Sequence, residues 1–386
     1  FSSYLVNFSF SKLDSKQKVL ELMKFCVISP VFTIAGVPLA QIRLAKALAN
    51  AGHEVDLIFC SINQAFEVPN IQNVNIVNFN IKNVRWVLLK LCMYLLQKKP
   101  AVIFSAEDHL NILVSICAIV TGSKVKISAS SRVTPYDTYS NKSFYKKWVL
   151  KNLFKMFQWR INVLTCVSKD MVQQYQQVFG ETRHQCVYNI VQDEDSDRLK
   201  KEKVTEEWIL SRDKDCKLLV AAGRLAHWKG FDYLIEACSL LKVKQFNFKL
   251  IILGDGPDKK KLQDMSKKLG VDDRVKFFGY VKNPLKYFSI SDVFVLSSLV
   301  EGMPNVLIEA IMCGCKVVST NCETGPKEIL SDGKYGYLVP IKNSTALASS
   351  IINSAKSPIE LQRSKELVEL FSENSVLNKH FDCLGV

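Results

Sequence analysis

Hydrophobic and polar positions in the first half of the chain alternate between two patterns, which predicts strands separated by helices. Short continuous apolar runs are typical of strands buried in a parallel sheet. Such runs lie at Lys24–Ser29, Glu54–Cys60, Val74–Phe79, Ala101–Ser105, Lys124–Ser128 and Val163–Ser168. Between the first two, Leu39–Ala51 has apolar side chains on one helical face, and Gly52 ends this helix. The pattern predicts an open α/β sheet.

Residues 192–215 are dense in charge and poor in apolar side chains, which marks a domain boundary. Beyond them, apolar runs recur at Lys217–Ala222, Phe248–Leu253, Val275–Gly279, Val293–Ser297, Lys316–Ser319 and Tyr337–Val339. We therefore predict an α/β fold of two Rossmann-like domains, residues 1–195 and 196–365, which face each other across a cleft. Residues 366–386 would form a C-terminal helix that can pack back on the first domain. Ligands of such sheets bind beyond the carboxyl ends of the strands.

The positive charge of the chain is concentrated in its first half. Residues 1–190 carry 22 basic and 10 acidic side chains, a net of +12 out of +14 for the whole chain. Such an excess predicts an anionic partner for this half, such as membrane lipid, a phosphorylated acceptor or nucleic acid. Nucleic acid is the weakest of these because no nucleic-acid-binding motif accompanies the charge.

One segment of this half combines basic and aromatic side chains. No Asp or Glu occurs from Thr138 to Lys169, and Lys147, Lys151 and Lys155 repeat every four residues, which places them on one stripe of a helix. Cations beside tryptophan and phenylalanine are typical of a helix that lies at a membrane interface. The alternative is a helix packed on the core with a solvated basic face.

The lengths of the apolar runs and the spacing of the cysteines indicate the cellular compartment of the protein. The longest apolar runs have about ten residues, whereas a membrane-spanning helix needs roughly 20. The 12 cysteines are scattered and form no C-x-x-C pair, which favours a reducing compartment. We predict a cytoplasmic protein that is attached peripherally to the cytoplasmic face of an anionic membrane.

Cations and glycines follow two strands of the second half. Gly223 and Arg224 come directly after one strand, and Lys229 follows five residues later. An Arg fork and a Lys point charge can together hold a diphosphate, although two ordinary surface cations would have the same sequence. Gly254 begins a Gly-Asp-Gly-Pro turn after the next strand, which suits either close approach to a ligand or a tight structural turn.

Two glutamates bracket the start of a predicted helix. Pro304 suits the first turn of this helix, Glu301 stands just before it, and Glu309 lies more than one turn inside. The free N–H groups at the helix start favour a phosphate, and the carboxylates can accept hydrogen bonds from sugar hydroxyls. Glu301 could instead be a plain partner of the helix dipole, whereas Glu309 stands in an apolar run, where a carboxylate is costly unless paired.

These motifs together resemble the retaining glycosyltransferases of family 4. The resemblance rests on Glu301 and Glu309 with seven residues between them, the Arg224–Lys229 loop, the Gly-Asp-Gly-Pro turn and the FFGYV segment that ends at Val281. It covers roughly Lys217–Leu347 closely and the first half only loosely. It implies the GT-B fold and transfer of a hexose or N-acetylhexosamine from a nucleotide sugar with retention at the anomeric carbon.

The resemblance also implies roles for individual residues. Arg224 and Lys229 would hold the donor diphosphate, Glu309 the ribose hydroxyls and Glu301 the donor hexose, and these four form the implied catalytic set. Further donor contacts are implied for Gly36, His109, Gly223, Gly254, Tyr280, Val281, Gly302, Met303, Pro304, Asn305, Val306, Leu307 and Glu328. His109 could equally be a structural hydrogen-bonding residue. The loop around Gly36 has one glycine where the family often has two.

Residues 325–330 resemble a G-P-x-E-I-L variant within the family. Members of this kind often use UDP-sugars and lipid-linked saccharide acceptors, which implies a saccharide or polyprenyl-diphosphate-linked acceptor and a role in surface polysaccharide or glycan biosynthesis. No cofactor and no metal are expected, because the Asp-x-Asp matches at Asp193–Asp197 lie in the charged boundary and no other cluster has ligand spacing.

Other classes of protein share the predicted architecture. A nicotinamide enzyme is disfavoured because no G-x-G-x-x-G follows the first strand. A nucleotide-sugar epimerase is disfavoured by the pair Glu301 and Glu309. The main alternative is a catalytically inactive partner subunit that binds a nucleotide sugar within a glycosyltransferase complex.

Overall fold

The computed structural model describes residues 22–33, 36–63, 68–81, 84–139, 144–357 and 361–386. Within these ranges, the strands of the first half are β1 (Lys24–Phe32), β2 (Glu54–Ile62), β3 (Val74–Asn78), β4 (Val102–Ala106), β5 (Lys126–Ser131), β6 (Val163–Cys166) and β7 (His184–Cys186). They form one sheet in the order β3-β2-β1-β4-β5-β6-β7, and each neighbouring pair is parallel.

A second parallel sheet follows. Its strands in the described ranges are β8 (Lys217–Ala222), β9 (Phe248–Leu253), β10 (Val275–Gly279), β11 (Val293–Leu296), β12 (Lys316–Thr320) and β13 (Tyr337–Val339). Their order is β10-β9-β8-β11-β12-β13. Since β8 has β9 on one side and β11 on the other, the loops after these three strands meet at one edge.

Helices connect the strands in both halves. Those of the first sheet are α1 (Gly36–Asn50), α2 (Val84–Lys98), α3 (Asp108–Val120), α4 (Pro135–Tyr139), α5 (Phe144–Phe157) and α6 (Lys169–Phe179). Two short helices, α7 (Ser196–Leu199) and α8 (Glu207–Leu210), lie between the sheets. The remaining helices are α9 (Phe231–Val243), α10 (Lys259–Lys268), α11 (Leu285–Phe288), α12 (Asn305–Met312), α13 (Pro326–Ile329), α14 (Ser344–Lys356), α15 (Leu361–Glu369) and α16 (Glu373–Leu384).

The strands predicted from apolar runs are present, with bounds that differ by a few residues. The run that begins at Lys124 becomes β5, which starts at Lys126 and ends at Ser131. The sequence prediction omitted β7, because three residues with one buried side chain give no apolar run. Helix α12 starts at Asn305, and Pro304 precedes it in an extended conformation.

Helices cover both faces of the first sheet because successive strand side chains point to opposite faces. On one face, Phe25 and Val27 of β1 pack with α1 and α16. On the other face, Cys26 and Ile28 pack with α2, α3 and α5. Consequently α2, α3 and α5 form a single layer whose outward sides share one surface.

The end of the chain crosses from one domain to the other. Val368 and Phe371 are buried with the second domain and the linker. The backbone N–H of Val191 donates to the carbonyl of Phe371 at 2.9 Å, and α16 then packs on the first sheet, where the Phe381 ring lies 6.0 Å from that of Phe25. Among the described residues, no helix is long and apolar enough to span a membrane.

Candidate functional site

Three glycines bring the carboxyl ends of β8, β9 and β10 into contact. The backbone N–H of Gly254 donates to the carbonyl of Gly279 at 2.7 Å. Gly254 has φ +138°, and a Cβ atom there would lie 1.9 Å from the carbonyl oxygen of Gly223. Only glycine fits such a contact, so these strand ends present a bare backbone surface that a ligand can approach closely.

Lys229 is held beside this surface. The loop that carries it is joined to the end of β11, because Ser297 Oγ donates to the Lys229 carbonyl at 2.9 Å. The next residue, Gly230, has φ +59°, and a Cβ atom there would lie 2.2 Å from the Ser297 carbonyl oxygen. The Lys229 side chain passes Gly223 and its ammonium group contacts Glu301 Oε1 at 2.5 Å. A cation and a carboxylate therefore stand together at the ends of adjacent strands.

Glu301 is fixed from several directions. Its Oε1 atom also accepts a hydrogen bond from Ser298 Oγ at 2.6 Å, and its backbone carbonyl accepts one from Thr324 Oγ1. The nearby Arg224 side chain is exposed, and among the described residues it pairs with no carboxylate. The site thus has one cation that is paired with a carboxylate, Lys229, and one that pairs with none in the described part of the chain, Arg224.

The N-terminus of α12 follows Glu301 closely in the chain and lies beside it. Pro304 has no side-chain cap to offer, so the first N–H groups of α12 are free of side-chain caps. Gly325 covers this start, since a Cβ atom there would lie 2.7 Å from Pro304 Cδ. Gly302 abuts the first domain, where its added Cβ would lie 3.1 Å from the Arg132 carbonyl oxygen. The helix start therefore faces the boundary between the domains.

Glu309 is paired with an arginine of the other domain. Its Oε1 atom lies 2.7 Å from Nη2 of Arg43, which belongs to α1. The Glu309 side chain is 7% exposed and that of Arg43 is 27% exposed. Burial lowers the pKa of the Arg43 guanidinium, but the charge and hydrogen bond of Glu309 outweigh this effect and raise it. The carboxylate is thus a paired one, as its apolar surroundings require.

A second arginine reaches the same helix through two amides. Arg132 Nη1 donates to Asn189 Oδ1, and Asn189 Nδ2 donates to Asn305 Oδ1 at 3.0 Å. Arg132 Nη2 also donates to Gln41 Oε1 at 3.3 Å. Burial lowers the pKa of Arg132 to about 10. The first turn of α12 is therefore bonded to the first domain.

Glu328 also joins the two domains. Its Oε2 atom accepts from the backbone N–H of Lys169 at 2.8 Å, at the start of α6, and Oε1 accepts from the Tyr188 hydroxyl at 2.6 Å. Burial raises the pKa of Glu328, although both hydrogen bonds act in the opposite direction. Glu328 lies on α13 of the second domain, and its carboxylate is thus bound to the start of α6 in the first domain.

The other predicted donor contacts are spread over both domains. Met303, Val306 and Leu307 belong to the segment that starts α12, beside Glu301. Tyr280 and Val281 follow β10, with the Tyr280 side chain about half exposed. In the first domain, the half-exposed His109 lies in the first turn of α3, with Nδ1 3.5 Å from Glu107 Oε2.

Gly36 starts α1, whereas the preceding Ile34 and Ala35 lie outside the described residues. The acidic boundary segment is tied to α1, since Lys46 contacts Asp195 Oδ2 at 2.5 Å. In the described part of the chain, no group of three or more His, Cys, Asp or Glu side chains could hold a metal ion.

Sequence reasoning missed Arg43 and Arg132. Neither stands in a motif, and their partners lie far away in the chain. Arg43 stands between the buried Ile42 and Leu44 of α1. A cation between two core residues was the one feature of the sequence that could have indicated a buried partner.

Two parallel-sheet Rossmann-like domains make up the GT-B fold, and solved structures of this fold match the chain, so the predicted fold class is confirmed. HepE of Anabaena in complex with UDP-glucose matches with a TM-score of 0.75 at 17% identity, covering 94% of this chain and 99% of that one. Residues 202–369 match the family model of the glycosyl transferases group 1.

The chain is also similar to two proteins that are described as glycosyltransferases. An uncharacterized glycosyltransferase of Methanocaldococcus jannaschii is 33% identical over 261 residues, which are 62% of this chain and 63% of the relative. The N-acetylgalactosamine-N,N'-diacetylbacillosaminyl-diphospho-undecaprenol 4-alpha-N-acetylgalactosaminyltransferase of Campylobacter jejuni is 30% identical over 236 residues, 61% of each chain. The chain thus spans about three fifths of the length of these two relatives.

Proposed function

We propose that this chain is a retaining glycosyltransferase. It transfers a hexose or N-acetylhexosamine from a UDP-sugar to a saccharide or lipid-linked saccharide, in surface polysaccharide or glycan biosynthesis. The observation that carries the proposal is the position of Lys229 and Glu301 at adjacent strand ends, beside the first turn of α12. The match of residues 202–369 to the glycosyl transferases group 1 supports the same conclusion.

The cations of the site suit a leaving diphosphate. Cleavage of the bond between sugar and phosphate places negative charge on the nucleoside diphosphate. The exposed Arg224 guanidinium, the Lys229 ammonium group and the free N–H groups of α12 supply positive charge on one side of the cleft. Such preorganised donors lower the barrier because they need not reorient as charge develops.

The carboxylates of the site suit sugar hydroxyls. Lys229 and Ser298 both bind Oε1 of Glu301, and we assign its Oε2 atom to a hydroxyl of the donor hexose. Glu309 is assigned to the ribose hydroxyls, with Arg43 holding its other oxygen. Both carboxylates would then fix the donor in the orientation that transfer requires.

A same-face mechanism fits this arrangement. The incoming hydroxyl attacks the anomeric carbon from the side that the diphosphate leaves, and an oxygen of the leaving phosphate takes the proton. No protein nucleophile is required, so Glu301 positions the sugar rather than attacking it. We also propose that turnover requires no metal ion, because cationic side chains and the start of α12 supply the positive charge.

The acceptor is proposed to bind on the first domain. This half carries +12 of the net charge of +14, which suits a diphosphate-linked acceptor and an anionic membrane surface. The name of the Campylobacter jejuni relative describes a diphospho-undecaprenol acceptor for that protein. We propose an acceptor of the same chemical kind and a cytoplasmic location at the membrane face.

Release of UDP from a panel of UDP-sugars, with and without a lipid-linked saccharide extract, tests this proposal. We expect one donor to release UDP, the extract to stimulate release, and EDTA to leave it unchanged. Arg224→Ala and Glu301→Gln should each lower turnover by about a hundredfold or more, because they remove charge stabilisation or positioning. Arg198→Ala, at an exposed arginine between the sheets, is the matched control and should not.

The same assay separates the alternatives. Retention is checked by the anomeric configuration of the product in NMR spectra. If the chain binds a UDP-sugar but releases no UDP with any extract that contains the acceptor, it is an inactive partner subunit. If EDTA abolishes release and a divalent cation restores it, the proposal that turnover needs no metal is wrong.

A further inference from the structure

Helix α2 exposes a stripe of large apolar side chains. Trp86, Leu89, Met93 and Leu96 recur at spacings of three and four residues, and each is more than half exposed. The stripe spans eleven residues, and its first and last members are about 15 Å apart along the helix axis. Surface helices of globular proteins normally carry polar side chains there, and a contiguous exposed apolar patch marks an interaction site.

The outward side of α5 is apolar as well. Trp148 and Met156 are more than half exposed, and so is Trp159 just beyond the helix. The lysine stripe predicted for this helix does not all face outward. Lys151 donates to the carbonyl of Val178 at 2.8 Å and lies 5.3 Å from the centre of the Phe179 ring. Aromatic and apolar side chains therefore form much of the exposed side of α5.

These two helices present their exposed sides on the same surface. Leu91 of α2, Leu110 of α3 and Phe154 of α5 all pack inward on one apolar cluster beneath the sheet. Helix α3 contacts both of its neighbours and ends in the largely exposed Val120. We call this surface the α2–α5 face, consisting of Trp86, Leu89, Met93, Leu96, Trp148 and Met156.

The charge around the α2–α5 face is almost entirely positive. Helices α2 and α5 together contain seven Lys and Arg residues and no Asp or Glu, and α3 between them has one acidic residue, Asp108. Asp108 is buried and accepts hydrogen bonds from Ser131 and Tyr175, so it does not oppose the surface charge. An apolar surface surrounded by cations complements an anionic lipid bilayer, which offers both acyl chains and phosphate groups.

The direction of the helices relates this face to the cleft. In a parallel sheet, the helix that joins two strands runs back from the carboxyl end of one to the start of the next. Trp86 near the start of α2 and Trp148 near the start of α5 therefore lie towards the cleft. Leu96 and Met156, near the helix ends, lie towards the opposite edge, so the helices can lie flat on a surface with the cleft at its side.

We propose that the α2–α5 face lies on an anionic membrane and that the apolar stripe of α2 enters the interface. This inference rests on the proposed function insofar as a lipid-linked acceptor would reach the cleft from that side. The occupant is a lipid bilayer rather than a second protein, because Lys and Arg residues accompany the exposed apolar side chains on both α2 and α5.

Binding to vesicles tests the proposal directly. We expect the protein to sediment with vesicles of phosphatidylglycerol and phosphatidylcholine in equal parts at low salt, and to remain in solution with phosphatidylcholine alone. The double variant Leu89→Glu with Met93→Glu should weaken binding about tenfold or more, because charges replace apolar side chains at the interface. Val243→Glu with Leu210→Glu, at exposed apolar positions beyond the first sheet, is the matched control.

Tryptophan quenching shows which surface enters the bilayer. Brominated lipids should quench the fluorescence of the bound protein, and Trp86→Phe with Trp148→Phe should remove most of that quenching. Trp228→Phe, at an exposed tryptophan of the second domain, should leave it. Circular dichroism of each variant confirms that it folds, which is expected because the changed side chains are exposed.

Three results would overturn the proposal. They are absence of binding to the anionic vesicles, equal binding by the stripe variant and the wild type, and a dimer that the stripe variant dissociates. Release of UDP from a soluble donor without vesicles is measured on the same proteins and should not differ between the stripe variant and the wild type. Loss of UDP release with intact vesicle binding would refute the proposed function alone.

Discussion

Arg43 and Glu309 form an ion pair of 2.7 Å between α1 of the first domain and α12 of the second. The partners are 266 residues apart in the sequence. Arg43 Nη1 also donates to the carbonyl of Ile190 at 3.4 Å, in the segment that leads out of the first sheet. The side chain thus connects both domains and the linker, and it does so at a carboxylate that we assign to donor binding.

Arg43→Ala should weaken both stability and donor binding. The change leaves Glu309 buried without a counter-charge, and loss of one partner of a buried pair is strongly destabilising. Because the guanidinium is partly exposed, we expect the free energy of unfolding to fall by about 2 kcal/mol. The KM for the donor should rise more than kcat falls, since the carboxylate loses its orientation. Urea unfolding and UDP-release kinetics measure the two effects.

A double-mutant cycle separates the pair from its surroundings. Arg43→Ala combined with Glu309→Gln should be more stable than the sum of the single changes indicates, because no unpaired charge is left. Arg198→Ala, at an exposed arginine, serves as the control for loss of a cation. Additive effects of the two changes on unfolding would show that the contact does not couple the domains.

Local patterns predicted the strand ends, whereas contacts between the domains could not be predicted. The glycines around Gly223 and Gly254, and the Lys229 loop, follow apolar runs directly, so a parallel sheet brings them to one edge. Arg43 and Arg132 contact α12 only through the tertiary fold. Nothing within a helix turn of either residue signals its partner.

Helical spacing likewise predicted a stripe of lysines on α5, but it did not predict whether that stripe faces solvent or a neighbouring helix. Lys147, Lys151 and Lys155 lie on one side of α5, as the spacing of four indicated. That side turns partly towards Phe179, because the inward face of a helix is decided by its neighbours. The exposed apolar stripe of α2 was overlooked because a continuous apolar run does not show which of its members are buried.

Gly325→Ala should disrupt the start of α12. Gly325 has φ +92°, and its added Cβ would lie 2.7 Å from Pro304 Cδ and 3.0 Å from the Gly302 carbonyl oxygen. The matched control is Gly333→Ala, which has a similar φ of +97° but no atom within 4 Å of the added Cβ. Both variants have backbone strain of about 1 kcal/mol. Only Gly325→Ala should weaken UDP binding, as measured by calorimetry. Equal binding by both variants would show that the added Cβ does not displace the start of α12.

Glu328→Gln should lower the free energy of unfolding and have little effect on the affinity for the donor. The carboxylate accepts hydrogen bonds from the start of α6 and from Tyr188, and its charge favours that helix terminus. We expect the free energy of unfolding to fall by about 1–2 kcal/mol. Tyr188→Phe removes one of the same hydrogen bonds and should be destabilising in the same direction. If Glu328→Gln instead weakens UDP binding more than tenfold at unchanged stability, then Glu328 contacts the donor, as the family resemblance implies.

Two buried histidines should make the protein less stable as the pH falls below about 6.5. Burial, together with the charge of Arg183 for His184 and of Arg132 for His380, lowers the pKa of each histidine to about 3. The unfolded chain therefore binds more protons than the folded chain from about pH 6.5 down to pH 3. Each histidine contributes stability that is present above this window and is lost within it, at about 1.4 kcal/mol per pH unit.

Urea unfolding at pH 7, 6 and 5 measures this dependence. His380→Phe should reduce the loss between pH 6 and pH 5 by about 1 kcal/mol, because a group that cannot bind a proton replaces the histidine. Its absolute stability can change as well, so the comparison is made on the slope. A slope that His380→Phe does not change would mean that this histidine is already protonated in the folded protein at pH 5.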